Sequence, residues 1–144
     1  MAMVPEALNH AIEQNHSAAN EFLKGNVLPW NDICSHCDDV TNIAAWGGYE
    51  RGWTEVARRY EWAAARFRGG EVNFENISLI FTSELAYSVD IERSRVQLSD
   101  REDFVPMTLR VTTIYRKERG QWKMVHRHAD PLLPVQDPTS VVQA

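Results

Sequence analysis

The sequence predicts an α+β domain with helices laid against one face of an antiparallel sheet. Two early segments repeat apolar residues at three- and four-residue steps, the period of a helix with one buried stripe. From Glu71 onward the period becomes alternation, the mark of strands. Glycine pairs, Gly47-Gly48 and Gly69-Gly70, fall where the pattern breaks.

Residues 5–24 read as the first helix. Pro5 suits its first turn, Leu8, Ile12, Ala19, Phe22 and Leu23 form the stripe, and Gly25 can close it. Residues 26–37, with Pro29, read as loop or a short helical turn. Residues 40–46 are apolar and β-branched enough for a strand, and Gly47-Gly48 permits a tight reversal. A second helix is expected over 52–67, on Trp53, Val56, Ala57, Tyr60, Ala63, Ala64 and Phe67, ended by Gly69-Gly70. Strands follow at 71–81, with a change of phase near Asn76, and at 85–96. In the latter Tyr87, Val89 and Ile91 share one face, and Ala86, Ser88, Asp90 and Glu92 the other. Two more, 104–117 and 121–129, join through a turn at Arg119-Gly120. One domain is expected over 1–132, with a tail over 133–144 running across the surface.

At 144 residues the chain suits a single compact unit. A formal charge of −5 argues against nucleic acid as a partner. No apolar run reaches the roughly 20 residues of a bilayer span, so no membrane partner is expected. The first residues lack the basic and apolar blocks of a signal peptide, so a cytoplasmic protein is expected. Cys34 and Cys37 form a CxxC, a pattern shared by redox pairs and half zinc sites. With no second CxxC and no βαβ surroundings, they read as two reduced cysteines at the end of a loop.

The chemistry-bearing stretch is GQWKMVHRHADP. Strand parity puts Trp122, Met124, His126, His128 and Asp130 on one face and Lys123, Val125, Arg127 and Ala129 on the other. Because Trp122 and Met124 are large and apolar, the even-numbered face is expected to line the interior. Three readings of the histidines stand. They bind a metal with Asp130 and a distant ligand such as His36; or one is a general acid or base tuned by Asp130; or both are hydrogen-bonded pocket histidines without chemistry. Trp46 and Trp62 are candidate walls for an apolar ligand. Asp90 and Glu92 form either a carboxylate pair or, the commoner case, a solvated or interface face beside Arg93 and Arg95. Arg110 suits a ligand carboxylate or an ion pair with Asp90 or Glu92, depending on strand register.

SHCDDV, WGGYERGWTEV, ELAYSVDIER and LRVTTIYRKERGQWKMVHRHADP together resemble the SnoaL-like, ketosteroid-isomerase-like branch of the nuclear transport factor 2 superfold. The resemblance implies a cone-shaped, cystatin-like α+β barrel with a deep pocket. It also implies a homodimer packed through the outer sheet, a small organic ligand and no cofactor. In ketosteroid isomerases a general-base aspartate precedes a glycine-containing turn. The position matching it here is Ala44, in the stretch Ile43 to Gly47, and alanine cannot abstract a proton. The nearest carboxylates are Asp38 and Asp39.

The expectation is therefore a SnoaL-like small-molecule protein. As an enzyme it would isomerise, dehydrate or hydrolyse by acid–base chemistry without a cofactor. His126 or His128 would carry the proton, Asp130 or Asp39 would orient it, and Arg110 or Tyr87 would steady negative charge. Trp46, Trp62, Tyr87, Arg110 and His36 are the expected ligand contacts, with no metal. The competing expectation is a binding or assembly module without catalysis.

Overall fold

The computed structural model describes residues 3–143. Its elements run α1 Glu6–Phe22, α2 Leu28–Ile33, β1 Thr41–Ile43, β2 Glu50–Arg51, α3 Trp53–Ala64, β3 Phe67–Phe81, β4 Leu85–Leu98, β5 Phe104–Glu118 and β6 Gln121–Pro131. The strands make one curved sheet in the order β2-β1-β6-β5-β4-β3. The three helices pack on its inner face. Among the described residues no helix is long and apolar enough to cross a membrane.

The helical stripes become the core. Leu23 of the turn after α1, Trp30 of α2 and Val56 and Tyr60 of α3 meet Val72, Val96 and Met124 from the sheet. A second cluster, Leu8 and Ala11 against Ala86, Tyr115 and Trp122, pins the start of α1. Gly25 ends α1 with φ +90°, and a Cβ there would stand 2.9 Å from the Phe67 carbonyl oxygen. That close approach lets the turn after α1 sit against the start of β3.

Several expected boundaries shift. The second helix stops at Ala64, and Phe67 opens β3 opposite Leu98. Its ring stays buried, so the helical spacing that recruited it reflects a shared core, not a shared helix. Gly69-Gly70 accordingly lies inside β3, next to an irregularity in pairing, and does not end a helix. The strand expected over 40–46 shortens to three residues and pairs parallel with β6, Thr41 beside His126 and Ile43 beside His128. It arrives from α2, and the Ser35 N–H donating to the Met124 carbonyl at 2.9 Å starts the parallel run. A hairpin would have forced the antiparallel sense. The tail contains a 3-10 turn, Pro138–Val141, capped by Asp137.

Two bulges control which side chains face inward. The first, between Asn76 and Ser78, is the expected phase change and leaves Ile77 57% exposed. The second lies in β6: Ile114 pairs with His126 and Tyr115 with Met124, so Val125 is extra. Trp122 and Met124 face inward as expected. Beyond Val125 the parity reverses, and Arg127 and Ala129 take over the inner face while His126, His128 and Asp130 turn outward. On β4 the inner face is the polar one. Ala86, Ser88, Asp90, Glu92, Ser94 and Val96 are all buried, so Asp90 and Glu92 are not a solvated face.

Candidate functional site

A cavity of about 70 Å³ lies between the inner sheet face and the helices. Phe22, Trp30, Tyr60 and Phe67 form its aromatic side, and Met107, Leu109 and Ala129 its sheet side. Phe22, Trp30 and Tyr60 hold one another edge to face, with centroids 5.7–6.3 Å apart. Trp46, 48% exposed, lines the cavity from the loop between β1 and β2 and marks its opening. Its ring meets Trp62 at 6.1 Å, and Trp62 carries the guanidiniums of Arg59 and Arg66 at 4.9 and 4.5 Å.

The polar part of the lining is small. Among its residues Glu92 is the one carboxylate and Arg127 the one cation. Both Arg127 Nη atoms donate to Glu92, Nη1 to Oε2 and Nη2 to Oε1, each at 2.9 Å. The two side chains are only 13% and 9% exposed. Burial works against the Arg127 charge, but the Glu92 carboxylate outweighs it and holds the guanidinium above its ordinary pKa. The Trp30 ring lies 5.2 Å from Arg127 Cζ, a further cation contact. Asn42, level with Arg127 on β1, also lines the cavity; its Nδ2 donates to Glu50 Oε1 at 2.9 Å, and Glu50 Oε2 accepts from Arg59 Nε at 3.1 Å. Burial drives the Tyr60 hydroxyl pKa well above its usual value, so it stays a neutral phenol.

The residues singled out in the sequence separate. Trp46 lines the cavity and Trp62 stands beside it. Ala44, the position matched to a general base, is on the cavity wall and presents a methyl group there. His126 lies on the other side of β6, half-buried, with Nδ1 2.7 Å from the Thr41 hydroxyl. Burial, and then the neighbouring His128, push its pKa below the ordinary imidazole value. His128 is 47% exposed, 4.0 Å from Asp130, and Asp130 accepts from Arg110 Nε at 2.8 Å. Tyr87 is 41% exposed on the outer sheet face. Asp39 accepts from both Nη atoms of Arg116, at 2.7 and 3.0 Å, and those hydrogen bonds lower its pKa. His36 stacks on Trp53 at 4.0 Å, with Nε2 2.9 Å from the Asn31 carbonyl oxygen. The histidines, Asp130, Arg110, Tyr87, Asp39 and His36 therefore do not converge on the cavity. Among the described residues no three His, Cys, Asp or Glu side chains are grouped as a metal cage.

Glu92 and Arg127 are the residues that strand parity alone misses. The signal for Glu92 was the pair Ala86 and Val96, apolar residues that bracket the even positions of β4. For Arg127 it was Ala129, an apolar residue out of phase with Met124.

A curved six-stranded sheet with helices on its inner face and a cavity between them defines the class. The chain belongs to the SnoaL-like domain family, which it matches over residues 8–134. No curated protein matches the sequence. Among solved structures it is similar to an NTF2-like candidate dehydratase from Streptomyces avermitilis, with TM-score 0.76, 17% identity, and coverage of 90% of this chain and 96% of that one. A ketosteroid isomerase-like protein from Erwinia carotovora atroseptica gives TM-score 0.74, 14% identity, and coverage of 89% and 95%. A candidate scytalone dehydratase from Novosphingobium aromaticivorans gives TM-score 0.70, 15% identity, and coverage of 88% and 83%. At these identities the likeness establishes the shared fold.

Proposed function

We propose that this SnoaL-like protein binds a small, mostly apolar organic molecule in the cavity beneath Trp46. The observation that carries the reading is the buried Glu92–Arg127 pair, set in a wall otherwise dominated by aromatic and aliphatic side chains. Ligand sites combine an apolar shell with a few fixed polar groups in this way. The volume is well below the roughly 300–1,000 Å³ of drug-sized sites, so the occupant is small, and a ring would extend past Trp46 into the opening. The test is mass spectrometry of small molecules released from the purified, denatured protein, together with fluorescence titration of Trp46 and Trp30. A ligand that quenches neither tryptophan, or no ligand under any condition, would defeat the proposal.

A second reading, cofactor-independent proton transfer, has specific support because Glu92 is the carboxylate on the wall. The resemblance to an isomerase-like protein and to candidate dehydratases points the same way. In this reading the proton carrier is Glu92, in place of His126 or His128. Glu92→Gln then abolishes turnover of the released ligand, while His128→Gln leaves it unchanged.

The outer sheet face suits a second copy of the chain. Ile80, Tyr87 and Ile114 form one row across β3, β4 and β5, and Val89 and Ile91 extend it. Ile80 is 51% exposed, an apolar surface that a symmetric contact would cover. Sedimentation should give a dimer, and Tyr87→Lys a folded monomer.

A further inference from the structure

We propose that the cavity selects uncharged ligands whose polar end is a carbonyl or hydroxyl oxygen, and rejects carboxylates and amines of the same shape. This rests on the reading of the cavity as a ligand site and adds its chemical selectivity.

The argument starts from charge balance. The wall holds one guanidinium and one carboxylate, each spent on the other through two 2.9 Å hydrogen bonds. A ligand carboxylate would find Arg127 already neutralised and Glu92 repelling it. A ligand ammonium would find Glu92 neutralised and Arg127 repelling it. Around them stand Trp30, Met107, Leu109 and Ala129, which screen charge poorly. Swapping partners would strand a buried charge, so the pair resists being opened by either ion.

An uncharged oxygen meets neither penalty. A guanidinium has five N–H donors, and Glu92 occupies two of them. The guanidinium is planar, so its remaining donors lie at the edge of that plane, with the Trp30 ring 5.2 Å from Cζ. Other polar groups of the lining are partly committed. The Ser94 hydroxyl donates to the Met107 carbonyl at 2.7 Å, and the Asn42 amide donates to Glu50. The wall thus offers donors beside carboxylate oxygens that still hold free lone pairs. A carbonyl uses the first; a hydroxyl uses both. The arginines around Trp62 at the opening would, if anything, draw anions inward, so rejection of a carboxylate is a property of the Glu92–Arg127 floor.

The test is a series of probes of one shape: cyclohexanone, cyclohexanol, cyclohexanecarboxylate, cyclohexylammonium and methylcyclohexane. Each is titrated into the whole chain near neutral pH, following the Trp30 indole N–H resonance assigned with Trp30→Phe. The ketone and alcohol should bind at least about tenfold more tightly than either charged probe. A charged probe binding within about threefold of the ketone overturns the selectivity while leaving the ligand site intact. If no probe, methylcyclohexane included, moves the Trp30 signal, the ligand-site reading itself fails. The double variant Glu92→Leu/Arg127→Met, which strands no charge, should keep methylcyclohexane binding and lose the preference for the ketone over it. An unchanged preference overturns the role of the pair. The unmodified protein decides the selectivity even if that variant does not fold.

Discussion

Glu92 on β4 and Arg127 on β6 meet across the intervening strand β5, both guanidinium Nη atoms 2.9 Å from a carboxylate oxygen. The contact ties together three strands on the face that forms the cavity. Its thermodynamics follow from burial. Removing one partner leaves the other charged and unpaired away from water, at a cost of about 3–5 kcal/mol. Arg127→Met and Glu92→Leu should each lose that much in urea unfolding. The double variant should lose markedly less than the sum, because nothing charged remains to be stranded. Additive losses would show that the pair does not act as a unit.

Acid should destabilise the fold through two imidazoles. Burial holds the pKa of both His16 and His126 below the free value; nearby Asp90 and Glu92 partly offset this for His16, and His128 adds to it for His126. The unfolded chain therefore takes up protons at a higher pH than the folded one. The stability from neutral imidazoles is complete above about pH 6.5 and is lost as pH falls through that value toward the folded pKa. Urea midpoints should decline between about pH 7.5 and 5.5, and His126→Gln should flatten part of the slope. A midpoint that rises over that interval would contradict the assignment.

Gly25 and Gly120 both hold positive φ, at +90° and +79°, but their surroundings differ. An added Cβ at Gly120 meets nothing within 4 Å, so Gly120→Ala should cost only the backbone term, about 1 kcal/mol. At Gly25 the same Cβ would press to 2.9 Å from the Phe67 carbonyl oxygen, a backbone atom of the first residue of β3. Gly25→Ala should cost at least about twice as much, with the loss visible as a lower thermal midpoint.

The cysteines should respond unequally to thiol reagents. Cys34 is buried, its Sγ 3.2 Å from the Trp30 carbonyl oxygen, and burial raises its pKa far above that of an ordinary thiol. Cys37 is exposed. Native protein should show fast modification of Cys37 alone, and Cys34 should react only on denaturation. Rapid modification of both in the native state would mean that the Trp30 region opens readily.

Much of the fold was legible because hydropathy period tracks burial: both long helices, all four long strands and the Asn76 irregularity follow from it. The parallel placement of β1 was not legible, since three residues carry no direction and their pairing depends on where α2 delivers the chain. The cavity floor was harder still. On β4, Tyr87, Val89 and Ile91 look like the inward row, yet they are the outer one, because the interior needs Glu92 to answer Arg127. On β6 the regular alternation of Trp122, Met124, His126 and His128 conceals a bulge that local composition does not announce. Hydropathy registers how much water a position sees; it does not register a buried charge matched by a partner 35 residues away.

The extra residue at Val125 has an evolutionary corollary. Deleting Val125 would give β6 plain alternation and still leave Arg127 and Ala129 inside; pairing Val125 with Ile114, so that the bulge flattens, would turn the imidazoles to the hollow and the guanidinium to the exterior. A one-residue slip in pairing thus separates two chemically unlike linings on the same scaffold, and a lineage could exchange one for the other by losing the kink while keeping every side chain.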